Sequence, residues 1–326
     1  MKYHHIWLSY IATLVLLCVV FIFLVWIGNP VIMQKGKRQI ASPLPSFLTL
    51  VYNDQVTTLD LWFPSLTFAE NKSVSQPEIL AKSALVYDLT TGKTLFAKNP
   101  KDRLPMASLT KITTAIVALE NKKPDNVYIV SKSDLVGEDS MGLSEGEVLS
   151  LEDLLYGLML PSGNDAAEVL ASNYPAGRKR FVEAMNQKSQ SLGLVDTHFT
   201  NPTGLEGDGN QHTTAYDLLV TTRFALLHFP LFSKVVASPN YTIDWTKSHK
   251  AFYLENQTNL LTSYPGIKGV KTGYTPEADL CLVTYLDYGG HQIIGILLGS
   301  NNRRLEMKEL LDYSLKTLSV TPPPHD

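Results

Sequence analysis

The chain has 326 residues, of which 44% are hydrophobic and 18% are charged, and its formal net charge is −3. This apolar share excludes a wholly disordered chain, and the absence of a basic surplus argues against a nucleic-acid partner. The two cysteines are Cys18 and Cys281. They are too few for a zinc site built on paired cysteines, and the apolar surroundings of Cys18 argue against an internal disulfide.

A long apolar run begins shortly after the first residue. Residues 6–27 are apolar except for Ser9 and Thr13, and about 20 such residues span a bilayer core as one helix. A secretory signal peptide has a shorter apolar core, about 7–15 residues, and ends at a small-x-small cleavage site. Residues 25–28 are mostly bulky. The run therefore predicts an uncleaved transmembrane helix within residues 1–28, with a signal segment as the alternative.

The rest of the chain divides by composition. Residues 29–78 combine proline with polar residues and predict a linker or an extended arm. Residues 79–320 carry the periodic apolar segments of one globular domain, long enough to bury a sizeable core. Residues 321–326 form a short tail.

The globular part is predicted in three stretches. Short strands at 83–87 and 94–97 are joined by a turn at Gly92. The helical stretch is predicted at 108–121, after a cap at Ser150, and at 166–171, 178–192 and 214–227. Strands at 267–274, 280–286 and 292–298 and a closing helix at 303–318 follow. This order predicts an α/β (α+β) fold, in which strands from both ends of the chain pair in a mostly antiparallel sheet flanked by helices, with a helical region inserted.

The first candidate catalytic motif is S-x-x-K at residues 108–111. Three-residue spacing at a helix start places Ser108 and Lys111 on one face, where the lysine amine can act as the base that activates the hydroxyl. The N–H groups of a helix N-terminus also favour developing negative charge. Taken alone the motif is weak, because a capping serine and a solvated lysine have the same pattern.

The second motif is S-x-N at residues 162–164, on a tight loop after a helix. Ser162 and Asn164 would place a hydroxyl and an amide there, and Gly163 permits close approach. An ordinary turn has the same pattern, and residues 238–240 and 300–302 also match it. Only the match at 162–164 lies between the other two motifs, within a helical region.

The third motif is K-T-G at residues 271–273, on a predicted strand. Gly273 would let an extended ligand lie along the strand edge. Lys271 and Thr272 could hold a carboxylate there. A solvated strand face is the simpler interpretation of this motif by itself.

Together the motifs are far more specific. They occur in the order S-x-x-K, S-x-N and K-T-G, with 54 residues from Ser108 to Ser162 and 109 from Ser162 to Lys271. This is the constellation of active-site serine penicillin-recognising enzymes. The chain resembles the serine D-alanyl-D-alanine carboxypeptidases, which are low-molecular-weight penicillin-binding proteins, over about residues 79–318, and the resemblance implies a β-lactamase/DD-peptidase-like fold. The segments that carry it are residues 85–88 with Gly92, 104–111, 155–167, 198–205 and 269–275.

The resemblance implies a catalytic sequence. Ser108 would attack the carbonyl between the two terminal D-alanines of a peptidoglycan stem peptide and form an acyl-enzyme. Lys111 would take the serine proton. Ser162 would relay a proton toward the leaving amine, and Asn164 would hold the substrate amide.

The same resemblance implies how the substrate is held. Lys271 and Thr272, beside Gly273, would bind the terminal carboxylate, and the N–H groups of Ser108 and Tyr274 would form the oxyanion hole. Each such donor contributes about 10²–10³ in rate. β-Lactams would acylate the serine and leave slowly, and no metal or organic cofactor is required.

Two departures from the family pattern accompany the resemblance. Relatives usually have Ala-Gly a few residues after K-T-G, whereas this chain has Ala278-Asp279, which puts a charge near a strand start. Many relatives also carry a second β-rich domain and a C-terminal amphipathic anchor. Residues 319–326 are too short for either, so the N-terminal segment is expected to supply the anchor.

Three other functions remain open from the sequence. A β-lactamase shares the fold but uses a glutamate on a loop after S-x-N, and residues 200–204 contain none, although Glu206 lies nearby. A non-catalytic β-lactam sensor or wall-binding module would keep the pocket without turnover. An esterase or endopeptidase would use the same scaffold on another substrate.

The implied location is the extracytoplasmic side of a bacterial cell membrane, with one membrane-spanning segment. The charges that flank the apolar run favour the opposite orientation, with the following domain in the cytoplasm. Lys2 and the amino group precede the run, whereas Lys35, Lys37 and Arg38 follow it, and positive residues tend to stay in the cytoplasm. A peptidoglycan substrate requires the external location, and this requirement outweighs so small a difference in charge.

Overall fold

The computed structural model describes residues 61–69, 73–206, 209–258 and 260–325. The chain divides into two compact units, Met1–Val56 and Thr57–Asp326, and all described residues belong to the second unit. The predicted membrane helix within 1–28 and the linker as far as residue 60 therefore lie outside the described residues. The second unit begins well before residue 79, where the sequence predicts the start of the globular domain.

The described elements run in the chain order strands, helices, strands and helix. The strands are β1 (Ser83–Asp88), β2 (Lys93–Lys98), β3 (Tyr128–Ile129), β4 (Val148–Leu149), β5 (Asn240–Ile243), β6 (Phe252–Glu255), β7 (Ile267–Thr275), β8 (Asp279–Tyr288) and β9 (His291–Ser300). The α-helices are α1 (Lys111–Glu120), α2 (Leu151–Met159), α3 (Asn164–Ser172), α4 (Gly177–Ser191), α5 (Ala215–His228), α6 (Pro230–Val236), α7 (Leu260–Ser263) and α8 (Arg303–Thr317).

One five-stranded sheet organises the domain. Its strands lie in the order β2-β1-β9-β8-β7, and every neighbouring pair is antiparallel. Strand β1 pairs with β9, from Ser83 opposite Leu298 to Asp88 opposite Ile293. The prediction of an antiparallel sheet built from both ends of the chain, with helices inserted between them, is confirmed.

Both faces of the sheet are buried. Successive side chains of a strand point to opposite faces, so neighbouring residues of one strand belong to different cores. In β1, Leu85 and Tyr87 belong to the core formed with the helical region, whereas Ala84 and Val86 belong to a second core. This burial on both faces explains the continuous apolar runs of the strands. The second core is closed by four residues of α8: Met307, Leu310, Leu311 and Leu315.

An extended segment, residues 61–69, lies along the outer edge of β2. Phe68 forms a parallel bridge to Thr94, and the Trp62 ring packs edge-on against Tyr87 with ring centroids 5.6 Å apart. The segment covers main-chain groups that an edge strand would otherwise expose. It lies at the edge opposite β7, so this segment leaves the β7 edge uncovered.

The predicted cap at Ser150 has the expected geometry. The Ser150 hydroxyl accepts a hydrogen bond from the Asp153 N–H at 3.1 Å, and the Asp153 carboxylate accepts one from the Ser150 N–H at 3.2 Å. This capping box starts α2, which ends just before the S-x-N loop. The sequence analysis missed the hairpin of β5 and β6, the short pair of β3 and β4, and helices α6 and α7, whose segments are brief.

Asp279 takes the place of the usual glycine and keeps its pairing with β7, while the register of β8 against β9 shifts between Leu280 and Leu282. It begins β8 opposite Thr275 with a left-handed backbone, φ 55°. A glycine is favoured at such a position, and aspartate is among the residues that tolerate it. Its carboxylate lies 2.8 Å from the Lys82 ammonium.

Among the described residues, no single helix is both long and apolar enough to cross a membrane. Helices α5 and α6 together have the length and apolar composition of a span, but they are bent by 110° relative to each other.

Candidate active site

Ser108 and Lys111 lie in a turn that leads directly into α1. Ser108 belongs to a 3₁₀ turn, Ala107–Thr110, and Lys111 is the first residue of the α-helix. Side chains three residues apart eclipse each other in 3₁₀ geometry, and Lys111 Nζ lies 2.8 Å from Ser108 Oγ. The predicted helix is present, and its tighter first turn aligns the two groups.

The Lys111 side chain is fully buried and has three oxygen neighbours. Besides Ser108 Oγ, Nζ lies 2.7 Å from Asn164 Oδ1 and 2.8 Å from the Thr203 carbonyl oxygen. Burial, followed by the positive charge of Lys271, holds the pKa of Lys111 well below its usual range. A neutral amine can donate to the amide and carbonyl oxygens while its lone pair accepts the serine proton.

The loop that supplies the Thr203 carbonyl is shaped by a buried asparagine. Asn201 Oδ1 accepts from the N–H groups of Thr203 and Gly204 at 3.1 and 2.8 Å, and Nδ2 donates to the Leu205 carbonyl at 2.8 Å. The sequence analysis assigned no role to Thr203. The Asn-Pro-Thr-Gly turn was visible, but its contact with a lysine about ninety positions earlier depends on folding.

Ser162 lies in the loop between α2 and α3. Its backbone is left-handed, with φ 67°, and such strain in a residue other than glycine is concentrated at functional sites. The side chain is 1% exposed, and its Oγ has no hydrogen-bond partner among the described residues. Asn164 begins α3 and points its amide oxygen to Lys111. Through Asn164, the motif at 162–164 therefore belongs to the site around Lys111.

The other two S-x-N matches have different surroundings. Asn240 is an exposed residue at the start of β5, and the Ser300 hydroxyl donates to the Glu306 carboxylate. Asn302 caps α8, its Oδ1 accepting from the Leu305 N–H at 3.2 Å.

The K-T-G motif lies on β7, the edge strand beside the serine. An added Cβ at Gly273 would lie 3.1 Å from both the Ser108 nitrogen and the Ala107 Cβ, so the strand and the 3₁₀ turn are in close contact. Lys271 is fully buried, and its ammonium donates to the Thr272 carbonyl at 3.0 Å. Tyr274 follows on the same strand with its side chain 62% exposed.

Lys271 has an unusual pKa for a lysine. Burial lowers it to about 7, the negative charge of Asp139 opposes this shift, and the positive charge of Arg303 adds to it. Near neutral pH the protonation state of Lys271 therefore depends on neighbouring charges, and a bound carboxylate favours the ammonium form.

Arg303 is a site residue that the sequence analysis missed. It begins α8, and its Nη1 donates to the Gly273 carbonyl at 2.7 Å and to the Cys281 carbonyl at 3.4 Å. The guanidinium thus links α8 to the main chain of the K-T-G strand. Arg303 follows the last strand and belongs to no recognised motif, so nothing in the sequence marked it as a site residue.

A loop at residues 139–143 lies against the S-x-N motif. The Asp165 carboxylate accepts hydrogen bonds from the N–H groups of Met141, Gly142 and Leu143 at 3.0, 3.1 and 3.0 Å. The Asn164 N–H donates to the Asp139 carbonyl at 2.7 Å. One end of α3 therefore supports this loop and also presents Asn164 to Lys111.

Residues 70–302 match the model of the D-alanyl-D-alanine carboxypeptidase family. The chain belongs to this family. It is similar to the D-alanyl-D-alanine carboxypeptidase DacF of Bacillus subtilis, 32% identical over 82% of this chain and 72% of that protein. It is also similar to a D-alanyl-D-alanine endopeptidase of Pseudomonas aeruginosa, 36% identical over 71% of this chain and 77% of that protein.

A solved structure of the family supports the observed architecture. The crystal structure of the Streptomyces K15 DD-transpeptidase is matched with a TM-score of 0.70 and 33% sequence identity, over 74% of this chain and all of that one. The family, recognised from the three motifs and their flanking segments, is thus confirmed.

Proposed function

We propose that this protein is a serine D-alanyl-D-alanine carboxypeptidase that removes the terminal D-alanine from peptidoglycan stem peptides. The observation that carries the proposal is the position of the buried Lys111 amine. Its Nζ lies 2.8 Å from Ser108 Oγ and also contacts Asn164 Oδ1 and the Thr203 carbonyl oxygen. Such a serine and base form an activated nucleophile. The family and its relatives' names supply the substrate class.

Acylation follows from the positions of these groups. Ser108 Oγ attacks the carbonyl carbon between the two D-alanines while Lys111 takes the hydroxyl proton. The oxyanion faces the N–H groups of Ser108 and Tyr274, where the close contact of β7 with the turn supports a shared hole. Ser162 passes the proton to the leaving nitrogen, free D-alanine departs, and water then hydrolyses the ester.

Substrate binding uses β7, the edge strand of the sheet. The peptide extends along the strand as an added strand, with the Asn164 amide on its other side. The Lys271 ammonium and the Thr272 hydroxyl bind the terminal carboxylate. Arg303 supports the strand main chain through the Gly273 carbonyl.

The names of the relatives include carboxypeptidase, endopeptidase and transpeptidase. These activities share the acyl-enzyme and differ in the scissile bond or in the acceptor. An assay with an acetylated L-Lys-D-Ala-D-Ala peptide, with and without an added amine, separates hydrolysis from transfer. A cross-linked muropeptide tests the endopeptidase alternative.

The experiment for the proposed nucleophile is intact-mass analysis of the full chain in detergent, with and without benzylpenicillin. We expect a single stable adduct on the parent protein and none on Ser108→Ala, together with D-alanine release by the parent only. Rapid drug loss without an adduct would indicate a β-lactamase. An intact drug with no adduct, or an adduct on both proteins, would refute Ser108 as the nucleophile.

We also propose that residues 1–28 anchor the enzyme in the bacterial membrane, with the catalytic domain outside. The proposal is supported by the apolar run at residues 6–27 and by the extracytoplasmic location of peptidoglycan. Membrane fractionation and protease treatment of intact spheroplasts test it. A catalytic domain that remains protected until the membrane is lysed would contradict the orientation.

A further inference from the structure

We propose that a cavity beside α8 binds an organic phosphate ester through the Lys308 ammonium and the Arg304 guanidinium. The cavity has a volume of about 450 Å³, and its wall combines α8 with His325 of the C-terminal segment. Its described lining contains no residue of the three catalytic motifs. The proposal therefore concerns a second site, and it does not depend on the proposed acyl-transfer function.

Lys308 is the residue that points to a ligand. It is only 7% exposed, and it lines the cavity. In the described parts of the chain, no hydrogen bond or ion pair reaches its ammonium. The other buried lysines of the described domain, Lys111 and Lys271, both lie within hydrogen-bond distance of oxygen atoms. A buried charge without a partner is costly, and a bound anion would remove that cost at Lys308.

Arg304 supplies a second positive charge. It lies four residues before Lys308 in α8, so both side chains lie on one face of the helix. Arg304 is exposed and has no ion-pair partner among the residues that the structure describes. A guanidinium binds two phosphate oxygens at once, and an ammonium adds a point charge. Two cations one helical turn apart therefore suit a phosphate group.

The start of α8 adds to the positive potential of the cavity. The helix has 15 residues, and its capping residue, Asn302, lines the cavity. The N-terminal end of a helix carries a partial positive charge that favours anions. This charge reinforces the two side chains, which define the site.

Two carboxylates also line the cavity, and they differ in their contacts. Asp312 Oδ1 accepts a hydrogen bond from the Tyr264 hydroxyl at 2.9 Å and lies 2.9 Å from His325 Nε2. These contacts engage its charge and hold the C-terminal segment against α8. Glu309 is exposed and lies about 100° around the helix from Lys308. Glu309 therefore repels an anion without pairing with Lys308, and its removal should strengthen binding.

The size and lining of the cavity favour an ester over inorganic phosphate. A phosphate group alone leaves much of the volume of about 450 Å³ unfilled. Leu305 lines the same cavity and is 52% exposed, so it offers an apolar contact to carbon atoms attached to the phosphate. Glycerol phosphate has this composition. Soluble glycerol phosphates and phosphatidylglycerol headgroups share it, and basic pockets of membrane proteins bind lipid headgroups.

The test measures binding of sn-glycerol 1-phosphate to the full chain in uncharged detergent, by isothermal titration calorimetry. Inorganic phosphate is titrated for comparison. Lys308→Met and Arg304→Met each remove one charge and keep an unbranched apolar side chain. Lys316→Met is the matched control, because it removes the same charge from an exposed position near the other end of α8. In parallel, Tm is measured in micelles that contain phosphatidylglycerol or phosphatidylcholine.

We expect Lys308→Met to weaken glycerol phosphate binding by about ten- to hundredfold, because a hydrogen bond between charged groups is lost. Arg304→Met, at an exposed position, should weaken it by about two- to fivefold. Glu309→Gln should strengthen it by about two- to fivefold, because a repelling charge is removed. Lys316→Met should bind like the parent, and inorganic phosphate should bind more weakly than the ester.

The lipid measurement distinguishes the two sources of the phosphate ester. A gain in Tm with phosphatidylglycerol that is absent with phosphatidylcholine, and is lost in Lys308→Met, would assign the site to a lipid headgroup. Binding of the soluble ester without any such gain would assign it to a soluble phosphate. Both results support the same chemistry at Lys308.

Equal affinities of Lys308→Met and the parent would overturn the proposal. An equal loss in Lys316→Met would also overturn it, since net charge alone would then explain the attraction. So would a parent protein that binds neither glycerol phosphate nor phosphatidylglycerol. If Lys308→Met does not fold, the exposed Arg304→Met and Glu309→Gln decide by their opposite effects. A parent that binds the ester but forms no benzylpenicillin adduct would contradict the proposed function and leave this site standing.

Discussion

A Cβ atom at Gly204 would lie 2.0 Å from the carbonyl oxygen of Ala107, 2.4 Å from its carbonyl carbon and 2.9 Å from the Ser108 nitrogen. All three are main-chain atoms, so no side-chain rotation can relieve the contact. Gly204 also has φ 90°, a conformation that an L-residue with a side chain rarely adopts. Gly204→Ala therefore forces the loop and the nucleophile turn apart.

The cost has two parts. The backbone conformation costs about 1–3 kcal/mol, and forced overpacking costs about 1–3 kcal/mol. For a domain of this size about 1 kcal/mol corresponds to about 2–4 °C in Tm. We expect Tm to fall by about 4–24 °C.

The effect on activity should exceed the effect on stability. The carbonyl of the preceding residue, Thr203, contacts Lys111, and the Ser108 N–H belongs to the proposed oxyanion hole. A misplacement of about 1 Å can lower a rate about 10²-fold. We therefore expect benzylpenicillin acylation of the folded variant to slow by about 10²-fold.

Gly146→Ala is the matched control. Gly146 has φ 83°, and an added Cβ there has no other atom within 4 Å, so this variant carries only the conformational cost. Stopped-flow acylation and thermal unfolding are measured on both variants in parallel. If Gly204→Ala and Gly146→Ala had equal Tm values and equal acylation rates, the predicted steric clash at Gly204 would be refuted.

Three further substitutions test the same site. Lys111→Met should lower benzylpenicillin acylation by about 10⁴-fold or more, because it removes the base; a rate near that of the parent would place the base elsewhere. Lys271→Met should raise KM for free-acid peptides and leave amidated ones nearly unchanged, and equal losses would contradict a carboxylate role. Since the folded pKa of Lys271, about 7, lies below the ordinary lysine value of 10.5, the folded state binds fewer protons than the unfolded one between these values. Stability should therefore rise with pH in this window, and the contribution should vanish in Lys271→Met, as measured by denaturant unfolding at several pH values. Asp165→Asn should lower Tm by about 4–10 °C, because it weakens several charge-assisted bonds to the 139–143 loop; an unchanged Tm would show that the loop is held otherwise.

Much of the fold was predictable because its elements carry strong periodic signals. The strands around Leu85 and Ile296 are buried on both faces, so their apolar runs are continuous. Helix α2 has an explicit capping box. The β5–β6 hairpin was missed because its strands have four residues each, and much of its packing depends on a distant partner, the ring of Tyr241 stacking on that of Tyr156 at 3.5 Å.

The candidate site was predictable where a short motif contains the reactive side chains themselves. Ser108, Ser162 and Lys271 were identified by residue type and order, and folding brings their segments together. Thr203 contributes through its main-chain carbonyl, which any residue would offer. Arg303 hydrogen-bonds the main-chain carbonyls of Gly273 and Cys281, which lie far from it in sequence, so no local pattern identifies it.

The sequence by itself determined the family, the antiparallel architecture and the kinds of chemical group available. Only the tertiary structure decided the surroundings of the two lysines. Both are the same residue type and titrate alike in an unfolded chain. In the folded protein, burial depresses both pKa values, but Lys111 adjoins a hydroxyl, an amide and a carbonyl, whereas the Lys271 ammonium donates to the Thr272 carbonyl. The difference between base and carboxylate binder arises from these surroundings, because desolvation and Coulomb energy depend on distances that folding alone establishes.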